Sequence, residues 1–518
     1  METAANNSVN QILSQANRAF QSKDMTAALH LTEQALSVSP FNPHALSFKL
    51  GMLLSTHQLS QADDTVSLLL SEQCQIHDHQ LFINNTQTLL RFSRFRQALM
   101  FIKAGLNACF ENPALQALAV NTAIEARDLD TANSIADELT RKAENTIQSS
   151  LTMANLNLMS GNFEQAKDYF CAVLKAESNN SYALAGLTKT ERFDPSDRAL
   201  VPQYKAAIQS NSLADAKARI GLGLAKLYND FGEYDLAWET AEAANKAKRQ
   251  TARFEPKQFT HQVDKLLAYF TPHNIQAQHS ENSTEHVFVV GMPRSGTTLI
   301  EQVLSVVPGF YAGGETPAVD YCLSFGKYGD HYLQAFEQQK DLDLAAMSSA
   351  YEDYFHQFSN YSGNRIINKV PTNFFHIGLI KLLFPKAKII NMERAPLDLA
   401  VSIFFENFSP YFAYTNSLDN IFHVYGQYKR LMEHWSGLYG SDILTVNYQS
   451  MVENYQQEVD RIGEFIEADM PSIEQIRDAS NPVETPSVWQ VRQPINTNAV
   501  NRWQKYQQYL QPYIKSYQ

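Results

Sequence analysis

Cysteine is scarce in this chain: Cys74, Cys109, Cys171 and Cys322 are the only four in 518 residues, far apart and without CxxC spacing. That pattern excludes a disulfide framework and a zinc site, and it points to a reducing, cytoplasmic environment. Long apolar runs are missing as well. No stretch approaches about 18 uninterrupted apolar residues, and the opening METAANNSVNQILSQANRAF has no basic segment followed by an apolar core, so the chain is expected to be soluble, unsecreted and without a membrane span. Positive charge is in deficit. Lys plus Arg total 42 against 54 Asp plus Glu, a formal net charge of -12, which argues against a general phosphate-backbone binder and against nucleic acid as a partner. An anionic ligand would have to meet a local basic site.

What is present is core material. Hydrophobic residues make up 44% of the chain, with 30 Phe and 24 Tyr, and charged residues 19%; this is not the composition of a disordered chain. At this length one hydrophobic core does not suffice, and roughly 100–200 residues per domain predicts two to four units.

The first half carries a repeat. Ala28, Ala62, Ala98, Ala132 and Ala166 recur at spacings of 34, 36, 34 and 34, and Ala237 follows after 71 more, room for a degenerate unit around Ala199. A period near 34 is that of helix-turn-helix repeats, and about six to seven units are expected. In the first, Ala16 lies on one helix, Ala28 and Ala35 on the next, and Pro40 closes the unit. Two helices approach closely only where side chains are small, so alanines mark the crossings while Phe20 and Leu31 are expected to fill the gaps. Gly161-Asn162 and Gly232-Glu233 fall at expected turns. The pattern resembles the tetratricopeptide consensus. Stacked pairs form a superhelix whose concave face commonly holds a peptide or partner protein; a spacer, or a surface for a second copy of the chain in a homodimer, is the alternative use.

Two charged clusters read as structural. His77-Asp78-His79 lacks further ligands at a set spacing and is expected in a solvated loop, so no metal is assigned. The run Lys246-Ala247-Lys248-Arg249 is expected at a helix C-terminus, where the macrodipole favours cations. The polar stretch 271–285 with Pro272 then reads as a linker.

Beyond it, His286-Val287-Phe288-Val289-Val290 is a buried-strand pattern, followed at once by Gly291-Met292-Pro293-Arg294-Ser295-Gly296-Thr297-Thr298 and an apolar-periodic stretch from Leu299 to Val306. Strand, glycine loop and helix form the order of a phosphate cradle, in which backbone N–H groups and the helix N-terminus face an anion. The spacing from Gly291 to Gly296 equals that of a Walker A loop, but Thr297 stands where that motif needs lysine, which disfavours an NTPase or kinase. Arg294, the hydroxyls of Ser295, Thr297 and Thr298, and the Gly296 backbone suit a sulfonate or 5′-phosphate held without magnesium. A glycine turn of purely structural use is the bland alternative.

PRSGTTL resembles the 5′-phosphosulfate loop of the sulfotransferase family, and the resemblance runs from about Val287 to Trp503. It is nearest to bacterial members with tetratricopeptide repeats, and tyrosylprotein sulfotransferases are more distant relatives. The resemblance implies a P-loop-like α/β fold around a central parallel sheet, 3′-phosphoadenosine 5′-phosphosulfate (PAPS) as co-substrate and 3′-phosphoadenosine 5′-phosphate as product. It also implies that Arg394 and Ser402, eight positions apart after the strand Lys388-Ile389-Ile390-Asn391-Met392, grip the 3′-phosphate. Tyr448, at the end of Ile443-Leu444-Thr445-Val446-Asn447, matches a tyrosine set against the nucleotide, though a core tyrosine would read the same way.

For the chemistry, an acceptor oxygen must lose a proton and positive charge must meet the sulfonate and the departing phosphate. By resemblance Glu315, in the loop Gly313-Gly314-Glu315-Thr316, is the base, and Lys369, after Ile366-Ile367-Asn368, is the cation. Relatives carry two adjacent glutamates where this chain has one. Ser487 and Arg492, in SVWQVRQPI, match the closing loop, Ser487 toward the sulfonate and Arg492 as the basic group in place of one that relatives carry near Gln493 or Asn498. Six aromatics in FFENFSPYFAY, residues 404–414, would line an acceptor pocket or pack on the sheet.

The expected architecture is therefore an all-α tetratricopeptide solenoid over 1–270, a linker over 271–285 and a PAPS-dependent sulfotransferase over 286–518, acting on a hydroxyl of a protein tyrosine or another bulky acceptor presented by the repeats. A magnesium-dependent nucleotide kinase and a scaffold with a silent transferase domain are the competing classes. The first lacks its lysine, and the second has no physical need to keep Arg294, Glu315, Lys369, Arg394 and Ser402 together.

Overall fold

A computed structural model describes residues 2–142, 146–276, 280–325, 333–334, 342–358, 360–363, 365–478, 497 and 499–517. The chain divides into two compact units, Met1–Thr152 with Asp353–Tyr361, and Met153–Glu352 with Ser362–Gln518. No described helix is long and apolar enough to cross a membrane.

The first unit is built of helix pairs: Glu2–Gln21 with Met25–Val38, Pro43–Ser55 with Leu59–Leu69, His79–Arg91 with Phe95–Ala108, and Pro113–Glu125 with Leu129–Lys142. Side-chain caps start several of these helices. Asp24 accepts from the Ala27 amide, Asn42 from Ala45, and Asn112 from Ala114 and Leu115, with Pro43 and Pro113 at first-turn positions where no N–H is needed. Asp78, part of the cluster read above as a loop, caps His79–Arg91 by accepting from Gln80. The repeating alanines are the crossing points. Ala28, Ala62, Ala98 and Ala132 are buried, and at Gly105 an added Cβ would lie 2.9 Å from Phe82. Phe20 departs from expectation: it stands at the surface, edge-on to Phe48 at 5.7 Å.

In the second unit the helix pairs continue through Ala214–Asp230, Tyr234–Lys248 and Pro256–Tyr269. Gly161 and Gly232 occupy left-handed turns at φ of +83° and +80°. Five parallel strands follow, β1 Val287–Gly291, β2 Phe310–Gly314, β3 Arg365–Asn368, β4 Lys388–Glu393 and β5 Ile443–Asn447, in the order β2-β3-β1-β4-β5. The β-branched run of β1 is buried throughout, as a central parallel strand requires. One face of the sheet packs Val289, Ile367 and Ile390 against Ile300 and Val303 of the helix Thr297–Leu304. On the helix Leu418–Tyr439, Trp435 is fully buried and meets Phe270 edge-on at 5.3 Å.

Within this unit the sheet and the later repeat helices share a core. Trp238 is sandwiched between Phe404 at 4.9 Å and Tyr509 at 4.7 Å. The Asn245 side chain donates to the Phe404 carbonyl, and the Lys248 ammonium donates to the Phe408 carbonyl at 2.6 Å and to Asn407 Oδ1 at 3.1 Å. Lys248 does end its helix, as the macrodipole reading required, but it is buried, and burial brings its pKa down to about 8. The polar stretch 271–285 is tied in by its ends. The Ser280 amide donates to Leu382, and Asn282 and Thr284 both donate to Glu352.

Candidate functional site

All five strands end at the same edge of the sheet, and each carboxyl end delivers a candidate: the glycine loop after β1, Glu315 after β2, Lys369 after β3, Arg394 after β4 and Tyr448 after β5. Parallel α/β sheets bind ligands at this edge, because the crossover helices leave a crevice where neighbouring connections run to opposite faces.

The glycine loop is conformationally fixed. Gly291 has φ of +150°, and a Cβ there would sit 2.5 Å from the Met392 carbonyl oxygen. Arg294 itself adopts a left-handed φ of +70°, uncommon for a residue with a side chain. Gly296, at φ of +111°, precedes the helix Thr297–Leu304, and a Cβ would lie 2.6 Å from the Tyr448 ring. Tyr448 therefore forms a wall against the loop.

Arg394 and Ser402 come together with Arg294, though not in the pairing their spacing suggested. Arg294 Nε donates to Ser402 Oγ at 3.2 Å. Arg394 reaches back instead, donating to the carbonyls of Arg294 at 3.0 Å and Ala499 at 2.7 Å, with its guanidinium 4.9 Å from the centre of the Tyr448 ring. Burial brings the Arg394 pKa down to about 10, which leaves it cationic at neutral pH. Arg394 Nε and the Ser295 hydroxyl are both buried and have no hydrogen-bond partner among the described residues. Leaving buried polar groups unpaired costs about 1–3 kcal/mol each, so this is where an anionic ligand would be stabilising.

The other corner holds Lys369, fully buried. Its ammonium donates to Glu315 Oε1 at 2.5 Å and lies 3.4 Å from Glu301 Oε2. Burial opposes the charge, but Glu301 and then Glu315 outweigh it, and the lysine pKa is raised. Glu315 is 40% exposed and Glu301 15%. A buried polar chain fixes the backbone next to Glu315: Asn373 donates to Asn368 Oδ1 at 2.8 Å, and Asn368 donates to the Thr316 carbonyl and hydroxyl. The glycines before Glu315, expected in a loop, close strand β2 through an irregularity in its register with β3.

Sequence reasoning missed Glu301 and Asp398. Glu301 follows Thr297 by four positions on the loop helix, and that spacing was the available signal for a shared face. Asp398, buried on the helix Pro396–Phe404, accepts from the backbone amides of Asn501 at 2.7 Å and Trp503 at 2.8 Å, pinning the backbone at 501–503 to the helix that follows Arg394. Ser487 and Arg492 lie outside the described residues. Of the aromatic segment, Phe404 packs on Trp238 of a repeat helix, Tyr414 is buried, and Tyr411 is 88% exposed. Among the described residues no group of three or more His, Cys, Asp or Glu is placed to hold a metal ion.

Residues 286–472 match the model of the Sulfotransferase family. An uncharacterized Aquifex aeolicus protein is 30% identical over 317 residues, 58% of this chain and 41% of that protein, so the chain spans less than half of this relative's length. A Caenorhabditis briggsae protein with a provisional protein-tyrosine sulfotransferase name is 25% identical over 234 residues, 43% of this chain and 81% of that one. Among solved structures, the sulfotransferase domain of the Synechococcus PCC 7002 olefin synthase is 16% identical over 44% of this chain and 90% of its own, at a TM-score of 0.31. A tetratricopeptide repeat protein from Parabacteroides merdae is 15% identical over 47% of this chain and 92% of its own, at 0.30.

Proposed function

Since its C-terminal half carries a domain of the sulfotransferase family, we propose that the protein moves a sulfuryl group from PAPS to a hydroxyl acceptor and releases 3′-phosphoadenosine 5′-phosphate. The observation that carries this reading is the convergence of a lysine-free phosphate loop, an arginine pair and a lysine–glutamate pair at the carboxyl ends of one parallel sheet. Ser295, Gly296, Thr297 and Thr298, with Arg294, would hold the 5′ end of the donor. Arg394 and Ser402 would hold the 3′-phosphate, and Tyr448 would wall the nucleotide. Glu315, the more exposed carboxylate, takes the acceptor proton, and Lys369 meets the charge that gathers on the sulfonate and the leaving oxygen. Ser487 and Arg492 would close the site from the C-terminal segment. No divalent ion has a role in this scheme.

In the same reading the helical repeats present a protein, a peptide carrying tyrosine or another bulky acceptor, in a cytoplasmic setting that suits four free cysteines. The test is calorimetry with 3′-phosphoadenosine 5′-phosphate and AMP, alongside labelled PAPS offered to peptides, phenols and glycans. Charge-assisted contacts of about 1.5–3 kcal/mol each predict at least roughly tenfold tighter binding of the bisphosphate. Equal affinity for the two nucleotides would remove Arg394 and Ser402 from their assigned role. Full activity in EDTA is the expected companion result.

A further inference from the structure

Lys369 is flanked by two carboxylates, and the proposed transfer uses only one of them. Glu315 is the more exposed and follows β2 at the open edge of the sheet. Glu301 is less than half as exposed and stands on the helix that begins with Thr297 and Thr298. The two sit on different elements, 2.5 Å and 3.4 Å from one ammonium that has no exposure of its own.

That asymmetry matters during transfer. As the acceptor oxygen bonds to sulfur, the bond from sulfur to the 5′-phosphate oxygen breaks, its electron pair stays on the phosphate, and the acceptor proton passes to Glu315. Glu315 is then neutral, and Lys369 has lost its nearest counter-charge when it must stay cationic for the leaving oxygen. Water cannot replace that charge around a buried ammonium, and an uncompensated buried cation sheds its proton.

We propose that Glu301 is a positioning residue that keeps Lys369 charged and aimed at the phosphate loop while Glu315 is protonated. The inference rests on the sulfuryl-transfer reading above. The ionisable groups that face Lys369 are Glu301 and Glu315, and Arg294 lies within electrostatic reach of Glu315. The sign of the pH effect follows. Lys369 is cationic at neutral pH and loses its proton as pH rises through a value that its two carboxylates hold up. Removing one carboxylate lowers that value, so the loss comes at lower pH.

The experiment compares the full-length wild type with Glu301→Gln and Glu301→Asp. The readouts are affinity for 3′-phosphoadenosine 5′-phosphate by calorimetry and turnover of labelled PAPS on the best acceptor from the panel, both followed from about pH 7 to 11. Glu301→Gln should bind the nucleotide nearly as wild type at pH 7 and lose affinity as pH rises. Its turnover should be down roughly tenfold at pH 7, and the alkaline limb of its profile should move down by about 1–3 pH units, the effect of removing one close opposite charge. Glu301→Asp, which keeps the charge on a shorter side chain, should move the limb only part of the way, and if the Gln variant fails to fold this partial shift carries the same conclusion. Wild-type pH dependence of binding and turnover in both variants overturns the role of Glu301 while leaving the transferase intact. A wild type that binds no bisphosphate and transfers to no acceptor overturns both readings together.

Discussion

Beyond β4, Arg394 is held by two carbonyl oxygens and the face of Tyr448, with one nitrogen unpartnered among the described residues; beyond β3, Lys369 is clamped between two carboxylates. The two corners of one sheet edge thus treat a buried cation in opposite ways. Carbonyl dipoles orient a guanidinium without cancelling its charge, so in the proposed reaction the Arg394 corner would stay attractive to a phosphate that is present throughout a turnover. The Lys369 corner carries one net negative charge when all three groups are ionised. In the proposed transfer it would meet charge that builds on the sulfonate and leaving oxygens and then departs, so binding energy would belong to the first corner and rate to the second.

Substitutions that separate rate from binding test this contrast most directly. Glu315→Gln should cost roughly 10²–10⁴ in turnover, the usual contribution of a general base, with bisphosphate affinity nearly unchanged. The dependence should be steeper for a sugar alcohol than for a phenol, which gives up its proton more readily. Near-full activity of this variant toward every acceptor in a steady-state assay would move the base elsewhere. Lys369→Ala should lose roughly 10²–10³ in turnover, as for one donor at a developing anion, and should weaken nucleotide binding less than Arg394→Ala does.

Arg394→Ala should behave the other way round. Calorimetry should show bisphosphate affinity reduced by about 10–100-fold and AMP affinity little altered, because the lost contact is to a group that does not react. An equal loss for both nucleotides would mean that the corner reads something other than the 3′-phosphate. The smallest effect is expected outside both corners. Lys248→Met leaves the half-buried Phe408 carbonyl without its donor and should cost about 1–3 kcal/mol in a denaturant titration, with catalysis nearly intact. A large catalytic loss without destabilisation would show that the repeat helix shapes the site through the segment after Ser402.

Much of the fold was legible because it is written in local patterns. The 34-residue alanine spacing, the β-branched runs of β1, β4 and β5, and Pro396 at a helix start each act through near neighbours. β2 was not legible. Phe310-Tyr311-Ala312-Gly313-Gly314 has no β-branched residue and two glycines, and it becomes a strand because β3 offers it a parallel ladder, with Tyr311 opposite Ile366. Phe20 shows the reverse failure: its position promised burial, yet it stands at the surface, edge-on to Phe48.

By itself the sequence determined the helical period, the phosphate loop without its lysine and the residue types that follow each strand, because backbone conformation and periodicity are set by residues adjacent along the chain. Only the tertiary structure decided which partners meet. It gave the Ser402 hydroxyl to Arg294, turned Arg394 toward Ala499, buried Lys248 against Phe408 and set Glu301 beside Lys369. These pairs join segments far apart in the chain. Their geometry depends on how the sheet, its helices and the later repeat helices pack, and no local pattern carries that information.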